Sequence, residues 1–482
     1  MRSIAPDPIG LLVSALHPPA DVPHDANALH SGVWPASAVR NPDGGVAIGG
    51  VPLSEIADQV GTPAYVIDEV EVRERARRTR VAFQDAAARH GTTARVYYAG
   101  KAFLCTEMVR WMMNEGLSVD VCTGGELMVA QAAGAESARL GFHGNNKSFS
   151  ELELAVTAGV GTIVLDSEIE LERVAAIAER HGITQDVMLR VNTGVHAETH
   201  EFLATAHEDQ KFGISLAAAP APVARIREID ALRFVGLHCH IGSQIFGADG
   251  FRESAARLIE LHADLKAGGD VPMLNLGGGF GIAYTGTENP TDIEELAESI
   301  VTAVADECSV RGIDIPELAF EPGRIIAGPA GITLYQVGTV KPVQIDAERT
   351  RLYVSVDGGM SDNARPALYD ARYVARVVSR SSDAEPALSR VVGKHCESGD
   401  IVVDVDYLPA DIVPGDLLAV PATGAYCHAL ASNYNFVPRP PVLAVADGAV
   451  RVLIRRETVA DILSRDAMAF MVGETDMEGR DD

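Results

Sequence analysis

Lys101 closes a short apolar run, Val96-Tyr97-Tyr98-Ala99-Gly100-Lys101-Ala102. An ammonium at the end of a buried strand must be paired, exposed or neutralised. Neutralised, it is a nucleophilic amine able to condense with a carbonyl. Taken alone, a surface lysine after an edge strand is the simpler reading. Other residues change that. Gly277-Gly278-Gly279-Phe280-Gly281 lets backbone amides approach an anion closely, although a tight turn needs the same glycines. Glu321, in Glu321-Pro322-Gly323-Arg324, is a carboxylate able to meet a pyridinium nitrogen. His240 could stack on a ring, or could equally be a satisfied core histidine. An amine, an anion cradle and a carboxylate are together the parts of a site for pyridoxal 5'-phosphate, in which the carboxylate keeps the ring nitrogen protonated and the electron sink strong.

These residues need a scaffold that brings strand ends together. Short apolar strands are expected at Val96–Tyr98, Ser118–Val121, Ala138–Phe142, Thr162–Leu165, Val187–Val191, Phe234–His238, Met273–Leu276 and Glu317–Phe320. Most of the gaps carry helical stretches such as Leu171 to Arg180, opened by the capping box Ser167-Glu168-Ile169-Glu170. Eight strand–helix units in roughly 230 residues match an α/β fold of the parallel (β/α)8 type, a TIM-like barrel. A doubly wound sheet is the alternative, but the last glycine of a dinucleotide fingerprint would fall on Ile282. In a barrel the chemistry gathers at the C-terminal strand ends. Read in order, those ends hold Lys101, Asp120, His143 with Asn145, Asp166, Arg190 with Asn192, His240 with Ser243, the glycine triplet, and Glu321 with Arg324.

After Gly328 the pattern becomes β-branched runs between turns, at Arg351–Val356, Arg372–Val378, Asp400–Val405, Asp416–Val420 and Val450–Ile454. This predicts a C-terminal all-β domain that also takes in the N-terminal strands Gly45–Ile48 and Ala64–Ile67. The expected organisation is a mobile arm over 1–45, strands joining the β domain over 46–69, a barrel over 70–328, the β domain over 329–470 and an acidic tail over 471–482.

A net charge of −27 argues against nucleic acid or an anionic membrane as partner. No run approaches a membrane span, and the apolar stretch Gly10–Leu16 is too short and too acidic in its flank for a signal peptide. The six cysteines contain no CxxC pair, which fits a reducing compartment, and a cytoplasmic location is expected. His238-Cys239-His240 suggests a metal cluster, but strand alternation points Cys239 away from the two histidines and no second ligand pair follows, so no metal site is expected.

The chain resembles the fold-type III pyridoxal phosphate decarboxylases, and most closely their diaminopimelate branch. The matching motifs are Tyr98-Ala99-Gly100-Lys101-Ala102, His143-Gly144-Asn145-Asn146-Lys147-Ser148, His238-Cys239-His240-Ile241-Gly242-Ser243-Gln244 and Asn275-Leu276-Gly277-Gly278-Gly279-Phe280-Gly281. They continue with Glu321-Pro322-Gly323-Arg324, Ala364-Arg365-Pro366-Ala367-Leu368-Tyr369, Cys396-Glu397-Ser398-Gly399-Asp400 and Gly424-Ala425-Tyr426. Arg365 with Tyr369, and Cys-Glu-Ser-Gly-Asp, are what narrow the resemblance to that branch.

The resemblance implies loss of CO2 from the D-configured centre of meso-2,6-diaminopimelate to give L-lysine. It implies that Lys101 carries the cofactor as a Schiff base, that His240 stacks on the ring and that Glu321 meets its nitrogen. Ser243, Gly279, Arg324 and Tyr426 would lie around the phosphate, with Gly278, Pro322 and Gly323 also against the cofactor. Cys396 would donate a proton to the carbanion left by CO2. Arg324, Arg365 and Tyr369 would hold the distal carboxylate, Glu397 the distal ammonium, and Tyr426 would also touch the substrate. Cys396 and Glu397 lie in the β domain, so the resemblance further implies a homodimer with shared active sites. A related decarboxylase of arginine, ornithine or carboxynorspermidine is the nearest alternative, and it would leave Arg365 facing nothing. A non-catalytic homologue would not need both the lysine and the proton donor, and a racemase has no use for Cys-Glu-Ser-Gly-Asp.

Overall fold

Strands that are apolar along their whole length suit a parallel sheet covered by helices on the outside and by its own side chains within. In the computed structural model, which describes residues 22–195, 211–347 and 349–469, eight such strands close into a barrel. They are Ala94–Ala99, Ser118–Val121, Leu140–Phe142, Thr162–Leu165, Gln185–Asn192, Leu232–His238, Met273–Asn275 and Glu317–Phe320. Each pairs in parallel with the next, and Leu318 lies opposite Ala94 where the last strand returns to the first. All eight coincide with the expected positions to within about two residues. Tyr97, Val164, Met188, Met273 and Ala319 fill the barrel interior below the site.

One cap differs from expectation. Helix Glu168–His181 starts as predicted, with the Ser167 side chain accepting from Glu170 N, but Glu170 does not complete the box. Its carboxylate turns to Lys147 Nζ at 2.7 Å and to Asp166 N at 2.8 Å, because a buried ammonium has more to gain from a carboxylate than one backbone N–H does. A complete capping box forms instead at Ser148 and Glu151.

The second body is a β domain built around the 14-residue strand Gly331–Gln344. Ala64–Asp68 pairs antiparallel with that strand and parallel with Val442–Ala446, so one N-terminal strand is woven into this sheet. Val46–Ile48 forms a small separate sheet with Val39–Arg40 and Val51–Pro52. The expected strand at Arg372–Val378 shrinks to Arg376–Val377, and Pro386–Val392 and Val442–Ala446 are strands that sequence patterning missed. The mobile arm expected through residue 45 is corrected over 22–45. Val33 and Trp34 are buried, and the Arg40 guanidinium donates to the carbonyls of Val377 and Arg380. The rest of the expected arm, and all of the expected acidic tail, lie outside the described residues. Among the described residues no helix is long and apolar enough to cross a membrane.

Candidate active site

A cavity of about 580 Å³ opens at the C-terminal ends of the barrel strands. Lys101, His240, Ser243, Gly279, Glu321, Gly323, Arg324, Arg365, Tyr369 and Tyr426 all line it. Lys101 follows the first strand on a single turn, Gly100–Ala102, that brings Gly100 against the next strand: a Cβ there would stand 2.7 Å from the Asp120 carbonyl oxygen. Its side chain is exposed rather than buried among apolar groups, so the desolvation anticipated from the sequence is not what sets it apart. Among the described residues it is the only lysine that lines the cavity.

The glycine run is shaped by close approach. A Cβ on Gly278 would fall 2.0 Å from the Glu321 carbonyl oxygen, and Gly279, at φ 111°, has Gly242 O in the same position at 2.5 Å. Gly278 N donates to His240 Nδ1 at 3.3 Å, which leaves the proton of the neutral ring on Nε2. Burial, reinforced by the Lys101 charge, holds this imidazole well below its ordinary pKa, so the ring facing the cavity is neutral. The Glu-Pro-Gly-Arg turn is tied to the lysine strand by Ala99 N donating to Pro322 O at 3.0 Å.

Glu321 is buried at the cavity floor. Its Oε1 accepts from Asn275 Nδ2 at 2.7 Å and lies 3.0 Å from His238 Nε2 and 3.5 Å from His143 Nε2. Burial raises its pKa, but the two histidines outweigh it and keep the group a carboxylate. Asp120, 3.1 Å from His143, is pushed well up by burial and by the Glu321 charge. His238 therefore belongs to the support of Glu321. Cys239 points the other way, with Sγ 3.5 Å from Ser254 Oγ, as strand alternation requires.

Among the described residues three arginines line the cavity, and two of them, Arg324 and Arg365, form its cationic wall. Arg324 donates through Nη2 to Ser243 Oγ at 2.7 Å and through Nη1 to the Tyr284 hydroxyl, with its guanidinium 4.6 Å from the Tyr426 ring centre. Arg365 donates to the Tyr373 hydroxyl and lies 4.7 Å from the Tyr284 ring centre. These partners are phenols, a hydroxyl and ring faces, so both positive charges stay available to an incoming anion. Tyr426 holds a left-handed φ of 61°, and its N–H donates to Ala102 O at 2.8 Å, locking the β domain onto the lysine turn. A bulky residue in that region marks stored strain of the kind found at functional sites. Tyr284, Asn275 and Tyr373 were missed by sequence reasoning, and only Asn275, two residues before the glycine triplet, carried a local signal.

The turn leading into Arg365 is pinned by Asp362, which accepts from Gly359 N at 2.8 Å and from the Tyr335 hydroxyl. Burial lifts this acid from 3.8 to about 7. A raised folded pKa gives stability that is complete below the unfolded value and is lost as pH rises through the folded one. Asp362→Asn, which mimics the protonated acid, should therefore lose fewer degrees of melting temperature than the parent chain between pH 5 and 8. Parallel melting curves would refute this assignment.

Cys396 and Glu397 do not line the cavity; both are exposed on the turn preceding Ile401–Pro409. The cavity itself suits pyridoxal phosphate. It offers an amine for the aldehyde, the Ser243 hydroxyl, Gly279 and Arg324 for the phosphate, and an ionised acid on its floor for the ring nitrogen.

Comparison with known proteins agrees. Residues 70–328 match the family "Pyridoxal-dependent decarboxylase, pyridoxal binding domain". The chain is 54% identical over 440 residues to diaminopimelate decarboxylase of Mycobacterium tuberculosis, covering 90% of this chain and 97% of that one. It is 42% identical over 439 residues to the diaminopimelate decarboxylase of Bacillus subtilis, covering 90% and 98%. The structure of diaminopimelate decarboxylase from M. jannaschii in co-complex with L-lysine superposes with a TM-score of 0.83 at 29% identity, covering 89% of this chain and 98% of that one. With an open anion-binding wall beside a single amine, and relatives of this length and identity, the chain belongs to the diaminopimelate decarboxylases, a family of pyridoxal-dependent decarboxylases.

Proposed function

We propose that the chain decarboxylates meso-2,6-diaminopimelate at its D-configured centre, replacing the departing CO2 by a proton to give L-lysine. Pyridoxal phosphate supplies an aldehyde that captures the substrate amine and an electron sink for the pair left by CO2. Lys101 is the residue that binds it covalently. His240 would present a neutral flat ring to the cofactor, and Glu321 would keep the ring nitrogen protonated. Ser243, Gly279, Arg324 and Tyr426 would surround the phosphate, while Gly278 fixes His240 through its N–H, and Gly323 lines the floor with Pro322 buried beside it.

Arg365 carries the specificity argument. It is a buried guanidinium held by the Tyr373 hydroxyl and the rings of Tyr284 and Tyr373, all uncharged, beside Tyr369 at the mouth of the same cavity. A substrate with a distal carboxylate pairs this charge, whereas a plain diamine amino acid leaves it desolvated and unpaired. Glu397 supplies the complementary anion for the distal ammonium; the Gly399 N–H and the Ser398 hydroxyl hold its carboxyl below the usual range. Cys396 provides the proton. Since these two residues are exposed and stand outside their own chain's cavity, they serve the cavity of a second copy in a homodimer with shared sites. The cytoplasm is the matching compartment, and the described cysteines are all free thiols.

The test is CO2 release across a substrate panel. Turnover of meso-diaminopimelate should exceed that of L-lysine, ornithine or arginine by about 10³-fold or more, because a site built to pair a charged group rejects analogues that lack it. Comparable rates would favour the plain diamine amino acid reading.

A further inference from the structure

Cys396 and Glu397 ride on an exposed turn, so their direction cannot come from burial. Polar contacts hold the turn instead. Lys394 N donates to Gly358 O at 2.9 Å, His395 N to Asp400 Oδ2 at 2.8 Å, and Cys396 N to Asn435 Oδ1 at 3.3 Å. Because a backbone N–H donates to it, the Asn435 atom is the amide oxygen. His395 Nδ1 lies 3.2 Å from the same oxygen and donates to it, while Nε2 lies 2.9 Å from Ser361 Oγ.

Asn435 reaches Cys396 from a strained turn. Asn435 sits at φ 51°, ψ 27° and Phe436 at φ 57°, two consecutive left-handed residues neither of which is glycine. Asparagine tolerates that region and a bulky phenylalanine seldom occupies it. Phe436 is 75% exposed, so no burial of its ring compensates. The turn is fixed from outside, by Ser432 N donating to Ser361 O at 2.9 Å and by Asn433 Nδ2 donating to Glu457. Backbone strain that the surroundings impose tends to mark function.

We infer that Asn435, braced by His395, is a positioning residue that aims the Cys396 thiol at the reacting carbon. The inference rests on the reading of Cys396 as proton donor. Ser361, which contacts both His395 and Ser432, stands four residues before Arg365, so one brace joins the turn that anchors the distal carboxylate to the turn that delivers the proton.

The test is a double-mutant cycle on kcat for meso-diaminopimelate. Asn435→Gly accepts the left-handed backbone and removes only the carboxamide. It should lower kcat by about tenfold or more while the bound cofactor's visible band is retained, since misplacement by about 1 Å is enough for such a loss. Asn435→Asp, which keeps the acceptor, should return to within about threefold of the parent. On top of Cys396→Ala the Asn435→Gly loss should vanish, because a residue acting through the thiol has no effect once the thiol is gone; a merely structural role would persist there in full. Should Asn435→Gly lose the cofactor band, Ser361→Ala is taken through the same cycle, with the same disappearance expected. A loss that persists in the Cys396→Ala background, or no loss at all, overturns the inference. A fully active Cys396→Ala overturns the proton-donor reading beneath it, and the inference with it.

Discussion

Lys101→Ala is expected to yield a folded protein with no visible absorption from bound cofactor and with decarboxylation reduced by on the order of 10³-fold or more, the scale expected when a covalent nucleophile is lost. Among the described residues nothing else that lines the cavity can replace the amine: its other cations are arginines, which do not deprotonate in proteins. The fold should survive, because the Lys101 side chain is exposed and the turn beneath it is held by backbone contacts, including Tyr426 N to Ala102 O. Circular dichroism together with the visible spectrum separates the two losses. An unchanged visible band in the variant would remove Lys101 from its proposed role. A lost band together with lost secondary structure would show the residue to be structural.

The barrel was legible because each strand is a short apolar run with turn chemistry at its ends. Thr162–Leu165 and Ser118–Val121, for instance, were located to the residue. Lys101, Glu321 and the glycines were legible for the same reason: a strand end is a place in the fold that a linear sequence can point to. Their individual roles came from the family resemblance rather than from spacing. The long strand Gly331–Gln344 was missed because Gly338 and Pro342 read as punctuation. In the structure the pairing register shifts between Val337 and Val340, where the strand bends around Gly338, and Pro342 is partnered within the antiparallel ladder. Tyr284 and Tyr373 escaped for a different reason. Tyr373 lies eight residues beyond Arg365 in a stretch without regular periodicity, whereas Tyr284 matters only because the β domain docks over the barrel mouth, placing Arg365 against a ring from a loop about 80 residues earlier in the chain. Local periodicity holds no information about that docking. Glu170 is the instructive intermediate case, since its motif placed the helix start correctly while the buried Lys147 decided what its carboxylate binds.

Mixing Lys101→Ala and Cys396→Ala chains should restore activity well above that of either variant alone. The cavity holding Lys101 and Arg365 is not lined by Cys396 or Glu397, which are exposed on the β domain of the same chain. If two copies complete each other's cavities, a hybrid dimer gathers both lesions into one cavity and leaves the other intact. With random exchange of equal amounts, half of the dimers are hybrids and each has one working site, so recovery should approach about a quarter of parent activity. The same geometry predicts that Glu397→Gln complements Lys101→Ala but not Cys396→Ala, because Glu397 and Cys396 travel on one turn and serve the same cavity. Exchange is verified independently by co-purifying an untagged chain with a tagged one. Absence of recovery in a mixture shown to contain hybrids would place the proton donor and the lysine in a single chain's site. The turn bearing Cys396 would then have to fold inward over its own cavity, breaking the contacts with Asn435 and Gly358 that hold it outward.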